Sequence, residues 1–288
     1  MPEFKSFDSA ITLEKRYALK IIVYLESEED VSILADRWFF DFGEHIEFRT
    51  SADNFHSTGG YSGVRSRVKE DRENGIKAYG IVDRDALFSK KNWDILLETD
   101  DEKYKAKFPF GEYIHTLLRW EIENYLFDSL IVEEFLADHE RGRKKRSNNV
   151  VLNELTQECC NLIFVMGACI LLREYGLSIP GAGYCRNFDG EGIREEVDNF
   201  IQQRMKTLSG WEKFFSNICD RLNKFDKKSE NNDSQFYSLL RIIDGKRLLE
   251  RLKSKYKIAD NPRFHFARKI REANRVPSEI KEFLSSLN

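Results

Sequence analysis

Short apolar runs alternate with amphipathic segments in the first half of the chain. The run "LKIIVYL", residues 19–25, is rich in β-branched and apolar residues and predicts a strand covered on both faces. In residues 27–40 the apolar side chains recur at helical spacing, and Ser27 is the expected N-cap. A strand followed directly by a helix is typical of an α/β fold.

The same alternation continues along the next hundred residues. "HIEFRT", residues 45–50, predicts a second strand, and a glycine-rich turn then leads into a charged helix that ends before Gly75. Strands three and four are predicted at residues 76–82 and 113–120, with polar, irregular chain over residues 86–112. Strands that alternate with helices predict a mainly parallel, Rossmann-like sheet.

The pattern changes near residue 128, because nearly every later periodic segment has helical spacing. We therefore predict an α/β domain over residues 1–128, followed by a mostly α-helical domain over residues 129–288 that serves for substrate, dimer or partner docking. The polar, basic run at residues 140–149 is the clearest candidate linker.

Composition and charge narrow the class of protein. The 288 residues carry a formal net charge of -3, so a nucleic-acid surface would have to be a local patch. The five cysteines lack the spacing of a zinc site or of a secreted disulfide framework, which predicts reduced thiols. The N-terminal residues do not resemble a signal peptide, and the apolar run at residues 159–172 predicts a buried helix rather than a membrane span. We expect a cytoplasmic protein without a membrane contact.

Acidic residues follow the predicted strands. Glu26 ends the first strand, and Asp83 and Asp85 follow the third in the sequence "GIVDRD". Since the carboxyl ends of parallel strands meet at one edge of a sheet, these side chains are expected to converge. Asp30, Glu121 and Glu123 are expected at the same edge.

Such a cluster needs positive charge, and carboxylate oxygens are the ligands that Mg²⁺ or Mn²⁺ prefers. The six acids predict a site for one or two of these ions. Two bridged ions activate a water molecule and stabilise the leaving oxygen when a phosphodiester is cleaved.

Five of the six acids also have a structural explanation. Asp30 stands where a capping box with Ser27 places its acidic partner, and Glu121 and Glu123 stand where acids favour the start of a helix. Paired aspartates are common in turns. Capping does not require all three acidic groups to follow strands, so the combination favours metal ligation by Glu26, Asp83 and Asp85.

Four sequence blocks together resemble the TOPRIM fold of the OLD nucleases and of the DUF4435 family. They are "VYLESEEDVSIL", "GIVDRD", "LLRWEIENYLFD" and a later "IIDGKRLLERL", which cover residues 23–34, 80–85, 117–128 and 242–252. TOPRIM proteins usually place glycine after the first glutamate, whereas Ser27 stands here, which favours the nuclease branch over primases and topoisomerases.

The resemblance extends to the TOPRIM effectors of PARIS anti-phage systems. It implies a toxin that cleaves RNA, with transfer RNA as the expected target, in a metal-dependent reaction that stops translation during abortive infection. An ABC-type ATPase is the implied partner that keeps the effector inactive, and a homodimer is the implied active form. DNA nicking, as in the OLD enzymes, and a non-catalytic binding subunit of a defence complex remain alternatives.

The resemblance also implies roles for individual residues. Glu26 would be the essential acid, Asp83 would hold the principal metal, and Asp85 would help to complete the shell of a second ion. Asp30 and Glu123 would be the other ligands of this second ion, and Glu121 would lie next to them. The catalytic set is thus Glu26, Asp83, Asp85 and Glu123.

Basic side chains are the candidate contacts to nucleic acid. The run "RGRKKR", residues 141–146, is able to neutralise successive phosphates, although solvated linker charge explains it equally well. Lys246, from the Gly-Lys block, is a further candidate phosphate contact, although a Gly-Lys turn that starts a helix explains it more simply. The full candidate set is Arg65, Arg67, Arg84, Arg143, Lys144, Lys145, Arg146 and Lys246.

Overall fold

The computed structural model describes residues 20–52, 59–139, 146–226 and 232–287. Its sheet has four parallel strands in the order β2-β1-β3-β4. The strands are β1 (Ile21–Leu25), β2 (Ile46–Thr50), β3 (Ala78–Val82) and β4 (Ile114–Thr116). The predicted parallel sheet is confirmed, although β4 is shorter than the predicted strand at residues 113–120.

The strand order reverses next to β1. From β1 the chain passes to β2 on one side, and it then crosses to β3 on the other side of β1. In parallel sheets of this kind, ligands bind outside the carboxyl ends of the two strands at which the order reverses. The topology therefore directs attention to the residues that follow β1 and β3.

Two helices of the α/β part begin and end where local chemistry requires. Helix α1 (Glu28–Ile33) begins after Ser27, whose Oγ accepts a hydrogen bond from the Asp30 N–H at 3.2 Å, so the predicted N-cap is confirmed. The chain then continues through the π-helical turn Leu34–Trp38 and the 3₁₀ turn Phe40–Phe42. Helix α2 (Gly60–Glu73) ends before Gly75, as predicted, and the φ of Gly75 is +77°.

Helix α2 packs on one face of the sheet. The buried side chains of this layer are Ile22, Tyr24, Val64, Val68, Ile76, Ala78, Val82 and Ile114. The hydroxyl group of Tyr24 donates a 2.7 Å hydrogen bond to Asp71 on α2, which satisfies two buried polar groups. A Cβ atom on Gly80 would lie only 2.4 Å from Cγ1 of Val64, so the close approach of helix and strand requires glycine there.

The prediction of irregular chain over residues 86–112 was wrong. This stretch contains three short helices, α3 (Asp85–Ser89), α4 (Trp93–Leu96) and α5 (Asp101–Lys105). Helices of four or five residues are too short to show a hydrophobic period. The start of α5 is nevertheless specified locally, since the Asp100 side chain accepts from the backbone N–H groups of Glu102 and Lys103.

The second half of the described chain is helical, as predicted. After the 3₁₀ turn Ile122–Leu126 come α6 (Ser129–His139), α7 (Asn148–Glu174), α8 (Glu191–Met205), α9 (Trp211–Leu222), the 3₁₀ turn Asn223–Phe225, α10 (Asn232–Leu239), α11 (Gly245–Tyr256), α12 (Arg263–Glu272) and α13 (Ser278–Ser285). Helices α6, α8, α9, α10 and α11 all pack against α7.

Helix α7 is the core helix of this half. Among the described helices it alone is long and apolar enough to cross a membrane, but 83% of its most apolar window is buried inside the protein. This burial is typical of the central helix of a soluble protein, and it confirms the predicted buried helix at residues 159–172. The complete helix, Asn148–Glu174, is longer than the apolar run that predicts it.

The described chain folds into two compact units. The first contains the described residues up to Asp83, residues 108–117 and the C-terminal segment from Ala267. The second, here called the helical unit, contains residues 84–107 and 118–266. The C-terminal segment is tied to the first unit by the indole N–H of Trp38, which donates to the Ala267 carbonyl at 3.0 Å. These units are not contiguous in sequence, unlike the predicted domains 1–128 and 129–288.

We expect Gly80→Ala to lower the free energy of unfolding by about 1–3 kcal/mol, because the added methyl group overlaps Val64 in a packed layer. Urea denaturation monitored by circular dichroism measures the change. Gly181→Ala is the matched control, since a Cβ atom at this exposed position meets nothing within 4 Å. Equal stability of the two variants would contradict the close packing of α2 on β3.

Candidate metal centre

Glu26 and Asp83 are brought together by the two strands at which the sheet order reverses. Glu26 follows the last residue of β1, and Asp83 follows the last residue of β3. The backbone N–H of Asp83 donates a 2.9 Å hydrogen bond to Oε1 of Glu26. This bond fixes the Glu26 side chain at the carboxyl edge of the sheet, as the sequence pattern predicts.

Asp85 lies two residues further along the same continuous chain, as the first residue of α3. Its backbone N–H donates to the Trp120 carbonyl at 3.2 Å, which holds the start of this helix. Glu26, Asp83 and Asp85 each offer one carboxylate oxygen, and these three oxygens lie within 4.8 Å of one another. All three side chains are half-buried.

The donor set fits a hard divalent cation. Mg²⁺ binds oxygen at about 2.1 Å in octahedral geometry, which places ligand oxygens about 3.0 to 4.2 Å apart. Carboxylate oxygens within 4.8 Å of one another reach this spacing with small rotations of their side chains. Three protein ligands leave coordination positions for water and for a phosphate oxygen, as is usual for Mg²⁺.

Asp30 performs the structural role that the sequence left open. Its Oδ2 accepts hydrogen bonds from the backbone N–H and the hydroxyl group of Ser27, at 3.1 and 2.8 Å. Together with the bond from the Asp30 N–H to the Ser27 hydroxyl, this completes a capping box. Asp30 does not belong to the group of metal-competent carboxylates that the described residues form.

Glu121 and Glu123 lie in a second cluster, within the helical unit, where both are buried and paired with cations of the chain itself. Glu121 accepts from the backbone N–H of Lys246 at 2.9 Å and pairs with its ammonium group. Glu123 pairs with Arg263 and lies 3.4 Å from the Lys246 ammonium nitrogen. Protein cations thus offset part of this negative charge, and neither glutamate belongs to the group of metal-competent carboxylates that the described residues form.

Burial controls the protonation of Glu121. Removal from water is the largest effect, and together with the charge of Glu123 it raises the pKa of Glu121 to about 8, against the opposing effect of Lys246. Lys246 therefore offsets only part of the cost of placing two carboxylates in one buried site.

Asn124 and Gly245 complete this second cluster, and sequence reasoning did not select either one. Asn124 is fully buried, and its side-chain N–H groups donate to the carbonyls of Leu240 and Ile243 at 3.1 and 2.7 Å. A Cβ atom on Gly245 would lie 2.6 Å from Oδ1 of Asn124, so only glycine allows this contact. The sequence blocks that contain "IEN" and "DGK" could have identified Asn124 and Gly245. Gly245 is the first residue of α11, directly after the N-cap Asp244. Arg263 had no recognisable signal.

The candidate nucleic-acid contacts have diverse environments. Arg65 is exposed on α2, and Arg67 pairs with Glu70 one turn later on the same helix. Arg146 forms two hydrogen bonds with the Glu154 carboxylate, and Lys246 is half exposed. The remaining members of the basic run, Arg143, Lys144 and Lys145, lie outside the described residues.

Arg84 requires a correction. Its side chain is fully buried and donates to the backbone carbonyls of Leu96, Glu98 and Leu118. The guanidinium group also lies over the ring of Tyr104, 4.0 Å from its centre, and burial lowers the pKa of Arg84 to about 10. With all its surface covered, Arg84 holds the chain between the short helices and is not available to a phosphate.

Comparison of this chain with protein-family models, with curated proteins and with solved structures gave no match. The interpretation of the site therefore depends on its geometry and on the sequence motifs.

We expect Asp83→Asn to weaken Mn²⁺ binding at least tenfold. Substitution of a residue that only supports a metal ligand lowers metal affinity roughly 10–100-fold, and the loss of an anionic ligand should lower it at least as much. Titration of the full chain with Mn²⁺, followed by electron paramagnetic resonance, measures the affinity.

Asp30→Asn is the control for Mn²⁺ binding, since an asparagine oxygen still accepts the hydrogen bond from the Ser27 N–H in the capping box. It should bind Mn²⁺ as the unsubstituted chain does. If both variants lost Mn²⁺ affinity equally, Asp30 would be a metal ligand and its capping assignment would be contradicted. If both variants kept full Mn²⁺ affinity, Asp83 would not be a metal ligand.

We expect the free energy of unfolding to carry a component from Glu121 that falls as the pH rises from about 4.5 to about 8. The sign follows because the folded chain binds this proton more tightly than the unfolded chain does in that range. Glu121→Gln removes the titration, so the stability of the variant relative to the original chain should rise with pH. Urea denaturation across this range measures it, and parallel pH profiles for the two chains would refute the raised pKa.

Proposed function

We propose that the protein is a metal-dependent phosphodiesterase that cleaves RNA, and that the parallel sheet with its acidic edge is a TOPRIM catalytic domain. The carboxylate group formed by Glu26, Asp83 and Asp85 is the single observation that carries the proposal. It stands at the point of the sheet where ligands bind in folds of this class. The resemblance of "VYLESEED" and "GIVDRD" to TOPRIM nucleases supports the same chemistry.

The side chains of this chain supply position and charge. The Asp83 N–H aligns the Glu26 carboxylate, so the two strand ends present their oxygens together. Asp85 adds a third anionic oxygen from the start of α3. A divalent ion held by these oxygens would stabilise negative charge on the phosphate and lower the pKa of a bound water molecule. Exposed Arg65 is the proposed contact to the RNA backbone.

The proposed biological role is that of a toxin in bacterial anti-phage defence. On the resemblance to PARIS effectors, the protein cleaves transfer RNA to stop translation, acts in the cytoplasm as a homodimer, and is kept inactive by an ABC-type ATPase. The described part of the chain contains no Walker-type phosphate loop in its sequence, which agrees with ATP hydrolysis by a partner.

We expect the purified chain to cleave transfer RNA in the presence of Mg²⁺, and Glu26→Gln to lower the rate about a hundredfold or more. Glu28→Gln is the matched control, because Glu28 is an acid two residues away that stands outside the carboxylate group. Chelation of the metal should abolish cleavage, and gel electrophoresis of the RNA measures the rate.

Supercoiled plasmid is offered in the same assay. Nicking of the plasmid without RNA cleavage would show that the substrate is DNA and not RNA. If Glu26→Gln and the original chain cleaved equally, the assigned role of Glu26 would be refuted. If neither nucleic acid were cut while Mn²⁺ still bound, a non-catalytic metal-binding subunit would remain.

A further inference from the structure

A cavity of about 310 Å³ lies beside α7 and α8 in the helical unit. It is lined by residues of α7, by the start of α8, and by residues of and after α9. Its volume is at the lower end of the range for small-molecule pockets. None of its lining residues belongs to the candidate metal centre, so it is a separate feature of the molecule.

Two opposite charges line this cavity at neighbouring turns of α7. Asp226 contacts Cys160 of α7, whose thiol group donates to Oδ1 of Asp226 at 3.3 Å. Arg194 contacts Phe164 of α7, and its guanidinium carbon lies 5.8 Å from the centre of the Phe164 ring. Positions 160 and 164 share one face of the helix and are about 6 Å apart along its axis. The cavity lining thus contains one carboxylate and one guanidinium group, which lie near residues one helical turn apart on α7.

One helix terminus and one neighbouring side chain contribute to the environment of these two charges. Arg194 belongs to the beginning of α8, whose N-terminal residues carry the positive end of the helix dipole. The side chain of Gln235 donates to Oδ1 of Asp226 at 2.7 Å, which helps to hold the carboxylate in place. The wall also includes the apolar side chains of Ile163 and Ile193.

The aromatic ring at this site is poorly placed for a stacked nucleobase. Arg194 lies over the Phe164 ring, and Phe215 packs against the same ring at 5.2 Å between ring centres. A base would need an open aromatic face. A small ligand with its own positive and negative ends matches the lining better, because each end meets its opposite charge and its apolar part meets isoleucine.

We propose that this cavity binds a free α-amino acid. The carboxylate of the ligand contacts the Arg194 guanidinium group, and its ammonium group contacts the Asp226 carboxylate. Its side chain lies against Ile163 and Ile193. The inference is independent of the proposed nuclease activity and stands on the helical unit alone.

The test is isothermal titration calorimetry of the full chain with each of the protein amino acids. We expect at least one amino acid to bind, and Arg194→Gln to weaken its binding tenfold or more. A hydrogen bond to a charged group contributes about 1.5 kcal/mol or more, and a loss of that size corresponds to about a tenfold change in affinity. Arg204→Gln is the matched control: Arg204 is exposed on the same helix and lies over Phe200, outside the cavity lining. It should bind as the original chain does.

Two analogues of the best ligand test the dipolar recognition. The amide of that amino acid lacks the carboxylate charge, and the corresponding acid without its amino group lacks the ammonium charge. Both should bind about tenfold more weakly or worse. Absence of binding by every amino acid, equal binding by Arg194→Gln and the original chain, or undiminished binding of either analogue would overturn the proposal.

Discussion

The hydrogen bond from the Asp83 N–H to the Glu26 carboxylate is the interaction on which the candidate centre depends. It forms because β1 and β3 are adjacent parallel strands that end at the same edge of the sheet. Every parallel sheet brings strand ends together, but only the reversal of strand order leaves a crevice beside them. Helix α2 contacts both strands, through close packing at Gly80 of β3 and through the hydrogen bond from Tyr24 of β1 to Asp71.

The acids discussed above have two kinds of environment. Glu121 and Glu123 are fully covered and are stabilised by Lys246 and Arg263, because an isolated buried carboxylate costs more free energy than the fold can supply. Glu26, Asp83 and Asp85 keep partial contact with solvent. Partial exposure keeps these three oxygens within reach of a cation from solution. Depth of burial, rather than the number of acids, therefore separates the candidate ligands from Glu121 and Glu123.

Much of this arrangement was predictable from the sequence, and the physical reasons are local. Apolar runs with β-branched residues predicted the strands, helical periodicity predicted the second half, and the position of Glu26 and Asp83 after strands predicted that they meet. The capping box of Ser27 and Asp30 was also visible, because it involves neighbours only three residues apart. The short helices over residues 85–105 were missed because segments of that length show no period.

The sequence by itself determined the fold class and the two strand ends that carry the acids, since strands and caps are set by side chains close together in the chain. Only the tertiary structure decided which acids remain available to a metal. The pairing of Glu123 with Arg263 spans 140 residues, and the burial of Arg84 needs carbonyls from two separate segments. Contacts of that range leave no periodicity in the sequence, because they depend on how distant elements pack.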